Sequence, residues 1–246
     1  MKILMHWRQA SCRFGLTAVL CMMGVLVGGL SGCRQKEASS KYVSSVPEAV
    51  PAAADTKKSD KGWVEMATLA PGKWEAIEGA TDLAWDDGSR IMRIGVGTDL
   101  NGARWTGPLP TVPYTVELEA RRMTGSDFFC GLTFPVRSGK EFVSLIVGGW
   151  GGGLVGISSI NNLDASENST GSQYKFEDQR WYRIRVEVGQ ERLQAWIDDR
   201  QVVDAYTEEQ KLSLREGPIG VCAPFGLATW VTSAEVRGVR WRKAGD

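Results

Sequence analysis

The stretch WYRIRVEVGQERLQAWIDDRQVVDAY, residues 181–206, decides the fold. Tyr182, Ile184, Val186 and Val188 alternate with Arg183, Arg185 and Glu187, the period of two of a half-buried strand with one wet face. Gly189-Gln190 turns the chain into Arg192–Ile197, and Asp198-Asp199 turns it again into Arg200–Tyr206. The segment therefore reads as a three-stranded antiparallel meander.

Outward from it the same period recurs. Tyr114, Val116, Leu118 and Ala120 oppose Thr115, Glu117, Glu119 and Arg121. Further strands are expected at 89–96, 127–134, 140–148, 153–159, 218–223, 227–231 and 233–242. In the last, Ala234 and Val236 are in one phase and Val239 and Trp241 in the other, which places a bulge at Arg237-Gly238. The best helix candidate, Thr207–Leu212, is under two turns long. Many short strands, Gly-rich turns and no alternating helices give an all-β fold, a two-sheet antiparallel jelly-roll sandwich.

The N-terminal end is of another kind. Lys2, Arg8 and Arg13 precede an uncharged apolar run from Phe14, which ends in Leu30-Ser31-Gly32-Cys33. A basic segment, an apolar segment and small residues, in that order, make an export signal over residues 1–32. The four residues ending in cysteine resemble the lipobox of bacterial lipoproteins, and this implies lipidation of Cys33 and anchoring to a membrane. Arg34, rather than Asp, follows the cysteine, so the resemblance implies the outer membrane, with a periplasmic or surface-facing domain. Residues 33–61 are polar, with Ser pairs, Pro47, Pro51 and Ala52-Ala53-Ala54, and read as a disordered tether of root-mean-square span ~30 Å. Residues 62–246 remain for one folded domain.

Cleavage removes His6, the only histidine. The mature chain then has no imidazole for a Ser-His-Asp or Cys-His site, a histidine zinc site or a histidine pH switch. It keeps 26 cations against 29 acids, a balance with no basic excess for phosphates and so no nucleic-acid partner. Cys130 and Cys222 lie in apolar segments and read either as a disulfide, which an oxidising compartment allows, or as two buried free thiols.

Four groups of residues could carry function. Leu145–Gly156 holds six glycines around Trp150, so the indole is either an open platform for a sugar ring or folded back onto the core. Trp196 lies on the wet face with Arg192 and Gln194, as a second stacking candidate or a cross-strand partner. Asn161 and Asn162 lie in the long polar loop 158–171, whose oxygens suit sugar hydroxyls, with calcium a minor alternative and no metal site assigned. Glu117 and Glu119 are spaced as a glycosidase pair could be, but Arg121 beside them reads as alternating surface charge.

Tyr114–Arg121, Trp181–Val186, Ala195–Val203 and Gly217–Val221 together resemble the concanavalin A-like lectin/glucanase superfamily, with likeness to laminin-G-like domains and to the 3-keto-disaccharide hydrolase family. The resemblance covers about residues 110–242 and implies the sandwich and a carbohydrate ligand. Hydrolysis or lysis of modified glycosides is the alternative it implies, and a non-catalytic envelope scaffold or adhesion role a second. Where that hydrolase family has an Asn-Ser-Gly strand, this chain has Asp127–Phe134. No catalytic residue is assigned, and no cofactor is expected.

Overall fold

The computed structural model describes residues 61–66 and 73–245. The signal segment, Cys33 and the tether up to residue 60 lie outside the described residues. Among the described residues fifteen strands are present: β1 (Val64–Glu65), β2 (Trp74–Ala76), β3 (Leu83–Asp86), β4 (Ile91–Ile94), β5 (Leu100–Trp105), β6 (Tyr114–Thr124), β7 (Cys130–Val136) and β8 (Glu141–Gly148) in the first part. The rest are β9 (Leu154–Ser158), β10 (Ser172–Gln173), β11 (Tyr182–Val188), β12 (Arg192–Ile197), β13 (Arg200–Tyr206), β14 (Gly226–Trp230) and β15 (Ser233–Lys243). They form two antiparallel sheets: one in the order β13-β12-β11-β6-β15-β4-β3 with β1 on β15, and one in the order β10-β9-β8-β7-β14-β5-β2.

The alternating residues do what their period requires. Tyr182, Ile184, Val186 and Val188 of β11 join Tyr114, Val116, Leu118 and Ala120 of β6 in one core. That core also takes Leu132 and Phe134 of β7 and Val143, Leu145 and Val147 of β8 from the facing sheet. Tyr114 donates its hydroxyl to the Pro135 carbonyl at 2.7 Å, a polar link between the layers. The last strand slips register between Arg237 and Arg240, at the bulge expected there, and then pairs Trp241 with Val64.

Three local expectations are corrected. Residues 218–223 are not a strand: Pro218–Cys222 is a 3-10 turn that drops Ile219 and Cys222 onto the outer face of the seven-stranded sheet. Its apolar alternation is short, and Pro218 fixes φ at the helical start. Residues 207–212 form a turn, not a helix, whereas the strand expected at 89–96 is present as β4 and pairs with β3. Cys130 and Cys222 are both free and buried, with burial pushing each thiol up to about 12. They pack as small hydrophobes in separate clusters, so the disulfide reading falls.

The outer face of the eight-stranded sheet is a ladder of charge pairs. Glu119 accepts from Arg237 at 2.8 Å. Glu117, expected as solvated charge, is buried under Arg183 and Arg240, at 3.8 Å and 3.5 Å. Glu235 accepts from Arg93 at 3.0 Å and from Arg121 at 2.6 Å. Burial opposes ionisation of Glu235, yet the hydrogen bonds and charges of Arg121 and Arg93 outweigh it and hold the carboxyl below its ordinary value of 4.5. A depressed carboxyl contributes stability above the unfolded value and loses it as pH falls through the folded one. Glu235→Gln should therefore destabilise the domain at pH 7 and less so at pH 3.5, below the ordinary carboxyl value, where the unfolded chain already takes up the proton. Urea midpoints at both pH values check this, and an unchanged gap would sink it.

Candidate functional site

The outer face of the seven-stranded sheet carries the site, and register explains its shape. Gly156, Ile146, Gly131, Ala228 and Gly102 stand opposite one another in turn across β9, β8, β7, β14 and β5. Side chains of one face line up across a sheet. The row is thus a trough of small residues with Ile146 as its one large member. At Gly131 a Cβ would stand 2.9 Å from the Phe128 ring, so the glycine lets that ring lie down on the sheet. The 3-10 turn closes one end, where Ile219 packs with Leu100, Phe128, Ala228 and Trp230.

What remains open is a cleft of about 290 Å³. This is at the small end of the ~300–1,000 Å³ typical of ligand clefts, and it suits one ring with its substituents. Leu100, Phe128, Ile146, Ile219 and Trp230 give it an apolar side. Asp127, Ser158, Asp164, Arg215 and Glu216 give it a polar one. Trp150 stands at the rim, 43% exposed, with the Arg215 guanidinium 5.8 Å from its ring centroid.

The glycine run builds that rim. Gly149–Gly152 is one tight turn between β8 and β9, with Trp150 at φ 48 and Gly151 at φ 87. Tryptophan in the left-handed region is strained, and such strain persists where the surroundings fix it. Arg122 is one of those supports: its Nη1 donates to the Gly152 carbonyl at 3.2 Å while its Nε donates to Asp178 at 2.6 Å. Removing the indole leaves a backbone that favours glycine, so Trp150→Gly should be about 1 kcal/mol more stable than Trp150→Ala, the reverse of the usual order. Thermal midpoints of the two variants decide it, and an alanine variant as stable as the glycine one would refute the strain.

Loop 159–171 supplies the opposite wall. Asn168 holds it by donating its side-chain amide to the carbonyls of Ile157, Leu163 and Asp164. Asp164 accepts from Ser158 Oγ and from the Ala165 N–H, and its other oxygen meets Arg215 at 2.7 Å. The acid is buried and thereby aims Arg215 across the cleft mouth. Among the described residues no group of three or more Asp, Glu, Cys or His side chains could hold a metal ion.

Of the residues singled out in the sequence, Trp150 lines this cleft and the others do not. Trp196 lies on the other sheet, partly buried, with Arg185 stacked at 4.2 Å. Arg192 is tied to Asp204 by two hydrogen bonds of 2.7 Å, and Gln194 stands opposite Asp204 on the same ladder. Trp150 and Trp196 therefore belong to opposite faces of the sandwich. Asn161 accepts from the Lys211 N–H and bonds Gln210, which spends its amide on the loop, while Asn162 is exposed at the turn tip. Asp164 belongs to the polar loop 158–171 whose oxygens were expected to meet a sugar, but Asp127, Arg215, Glu216, Trp230 and Ile219 were not legible as site residues. The one local signal is the charged pair Arg215-Glu216 immediately before the Gly217-Pro218 turn.

No protein-family model and no curated protein matches the sequence. Solved structures do. A Crh5 transglycosylase in complex with NAG is similar at TM-score 0.52 and 11% identity, over 75% of this chain and 85% of that one. The carbohydrate-binding module CBM66 from Bacillus subtilis is similar at TM-score 0.45 and 18% identity, over 70% and 96%. The fold, a two-sheet antiparallel sandwich, is similar to that of the transglycosylase.

Proposed function

We propose that the cleft beside Trp150 binds carbohydrate and that the domain is presented at the cell envelope by a lipid on Cys33. The observation that carries the reading is Trp150 itself: an exposed indole, held in a strained conformation at the rim of a cleft whose other wall bears carboxylates and a guanidinium. A sugar ring offers an apolar face for such an indole and hydroxyls for such acceptors and donors. A transglycosylase of the same fold captured with NAG adds a fold-level analogy.

Screening the full-length chain on a glycan array tests the reading. Binding to at least one glycan class, lost in the Trp150→Ala variant, is the expected result. Absence of binding to every glycan, or binding unchanged by the substitution, overturns it.

The three carboxylates Asp127, Asp164 and Glu216 in one cleft favour a second reading, hydrolysis or lysis of a glycoside. Product formation from a bound glycan, abolished by Asp127→Asn or Glu216→Gln with binding retained, would establish it. Glu117 and Glu119 take no part, since both belong to the arginine ladder of the other sheet.

A further inference from the structure

The cleft is specific in its chemistry beyond being sugar-sized. Three of its lining side chains are carboxylates, Asp127, Asp164 and Glu216, and one is a cation, Arg215, already neutralised by Asp164 at 2.7 Å. The remaining charge is acidic, and a ligand carboxylate would meet like charge in a partly desolvated site. A uronic acid unit is disfavoured on that ground.

The apolar side is equally particular. A flat pyranose needs an aromatic platform, which Trp150 provides, but it has no use for an aliphatic methyl set beside a carboxylate. That is what the trough contains. From the Cα of Gly149, the position a Cβ would take is 2.9 Å from Ile146 Cγ2 and 3.7 Å from Asp127 Oδ1, with Phe128 Cβ at 4.0 Å. The branched methyl of Ile146 and a carboxylate oxygen of Asp127 thus both lie within 4 Å of one point beside Gly149. The small residues Gly131 and Gly156 flank Ile146 across the sheet, and its largely buried side chain reaches the cleft between them.

An acetamido group is complementary to that pair. Its methyl has an aliphatic partner in Ile146, and its N–H has an acceptor in Asp127, of which one oxygen is shared with the Phe128 N–H. A bare hydroxyl at the same ring position would satisfy Asp127 and leave Ile146 facing polar surface. We propose that the cleft selects an uncharged N-acylated sugar, an N-acetylhexosamine unit, over the unsubstituted hexose and over the uronic acid. The inference rests on the carbohydrate reading above and narrows it to a ligand class.

Calorimetric titration of the full-length chain tests it with four matched β-1,4-linked trimers: of N-acetylglucosamine, glucose, glucosamine and glucuronate. One buried methyl distinguishes competing ligands by about tenfold or more. The acetylated trimer should therefore bind at least tenfold more tightly than the glucose trimer, with the glucuronate trimer weakest. Ile146→Thr, which keeps the branch at Cβ, should reduce the acetyl preference, read as the ratio of the two affinities, to within threefold. Equal affinity for acetylated and unsubstituted trimers, equal affinity for the glucosamine trimer, or tightest binding of glucuronate each overturns the inference and leaves the carbohydrate reading standing. Binding of some other glycan but none of these four does the same. Failure with every glycan removes the reading itself. The wild-type comparison holds even if the Ile146 variant does not fold.

Discussion

Replacing Trp150 with alanine is expected to weaken glycan binding about thirtyfold or more, the size of effect typical when an aromatic anchor at a cleft is lost. The indole is exposed at the rim and contributes its face to the cleft rather than to the core. Stability should therefore change far less than affinity. Titration measures the first quantity and thermal unfolding the second. A variant that binds as the wild type does, or that fails only because it unfolds, would show that the indole is structural. Trp196→Ala is the control, since that ring is stacked under Arg185 on the opposite sheet and should leave affinity within about twofold of the wild type.

The largest effect on folding is expected at Gly102. It stands opposite Ala228 in the pairing of β5 with β14, at a point where the two backbones crowd together. A Cβ on residue 102 would lie 2.7 Å from the Ala228 Cα and closer still to the Leu227 carbonyl oxygen. Both obstacles are backbone atoms of a paired strand and have no rotamer through which to yield. Gly102→Ala should cost about 3 kcal/mol, at the upper end of what overpacking costs. Urea denaturation checks the value. Because Leu100 and Trp230 pair on the same two strands and line the cleft, weakened binding should accompany the loss. A loss below about 1 kcal/mol would mean that the strands part there without difficulty.

The sequence reveals the sandwich wherever a strand has one wet face. In β6, β11 and β12 the alternation is strict, and each apolar residue of the pattern is buried. The phase change in β15 is equally readable because Gly238, at φ 61, takes up the extra residue. The strands β2, β3 and β5 are less visible. They are short, or interrupted by polar and small residues, as in Leu100-Asn101-Gly102-Ala103. Asn101 looks like a turn residue by propensity but is fully buried, accepting from the Thr81 N–H and donating to the carbonyls of Thr81 and Gly95. Tertiary partners there override the local preference.

The site is legible to the extent that one segment builds it. The glycines around Trp150 announce a rim from within a dozen residues. The trough beneath comes from five strands between residues 100 and 230, brought into one row by register, and no single segment carries that information. The 3-10 turn that closes it imitates a strand in its alternation of Ile219 and Val221, while its working period is the i, i+3 spacing of Ile219 and Cys222.

The pairing of Val64-Glu65 with Arg240-Trp241 has a mechanical meaning. The chain enters the domain within one sheet, and the cleft opens on the outer face of the other. A force between an occupied cleft and the N-terminal side would cross both layers, carried by interlocked side chains and by the Tyr114 hydroxyl at Pro135 rather than along any single ladder of backbone bonds. The first part to give way under such a load would be β1, which holds by two residue pairs, so that the N-terminal residues would peel from the sheet before the two layers parted.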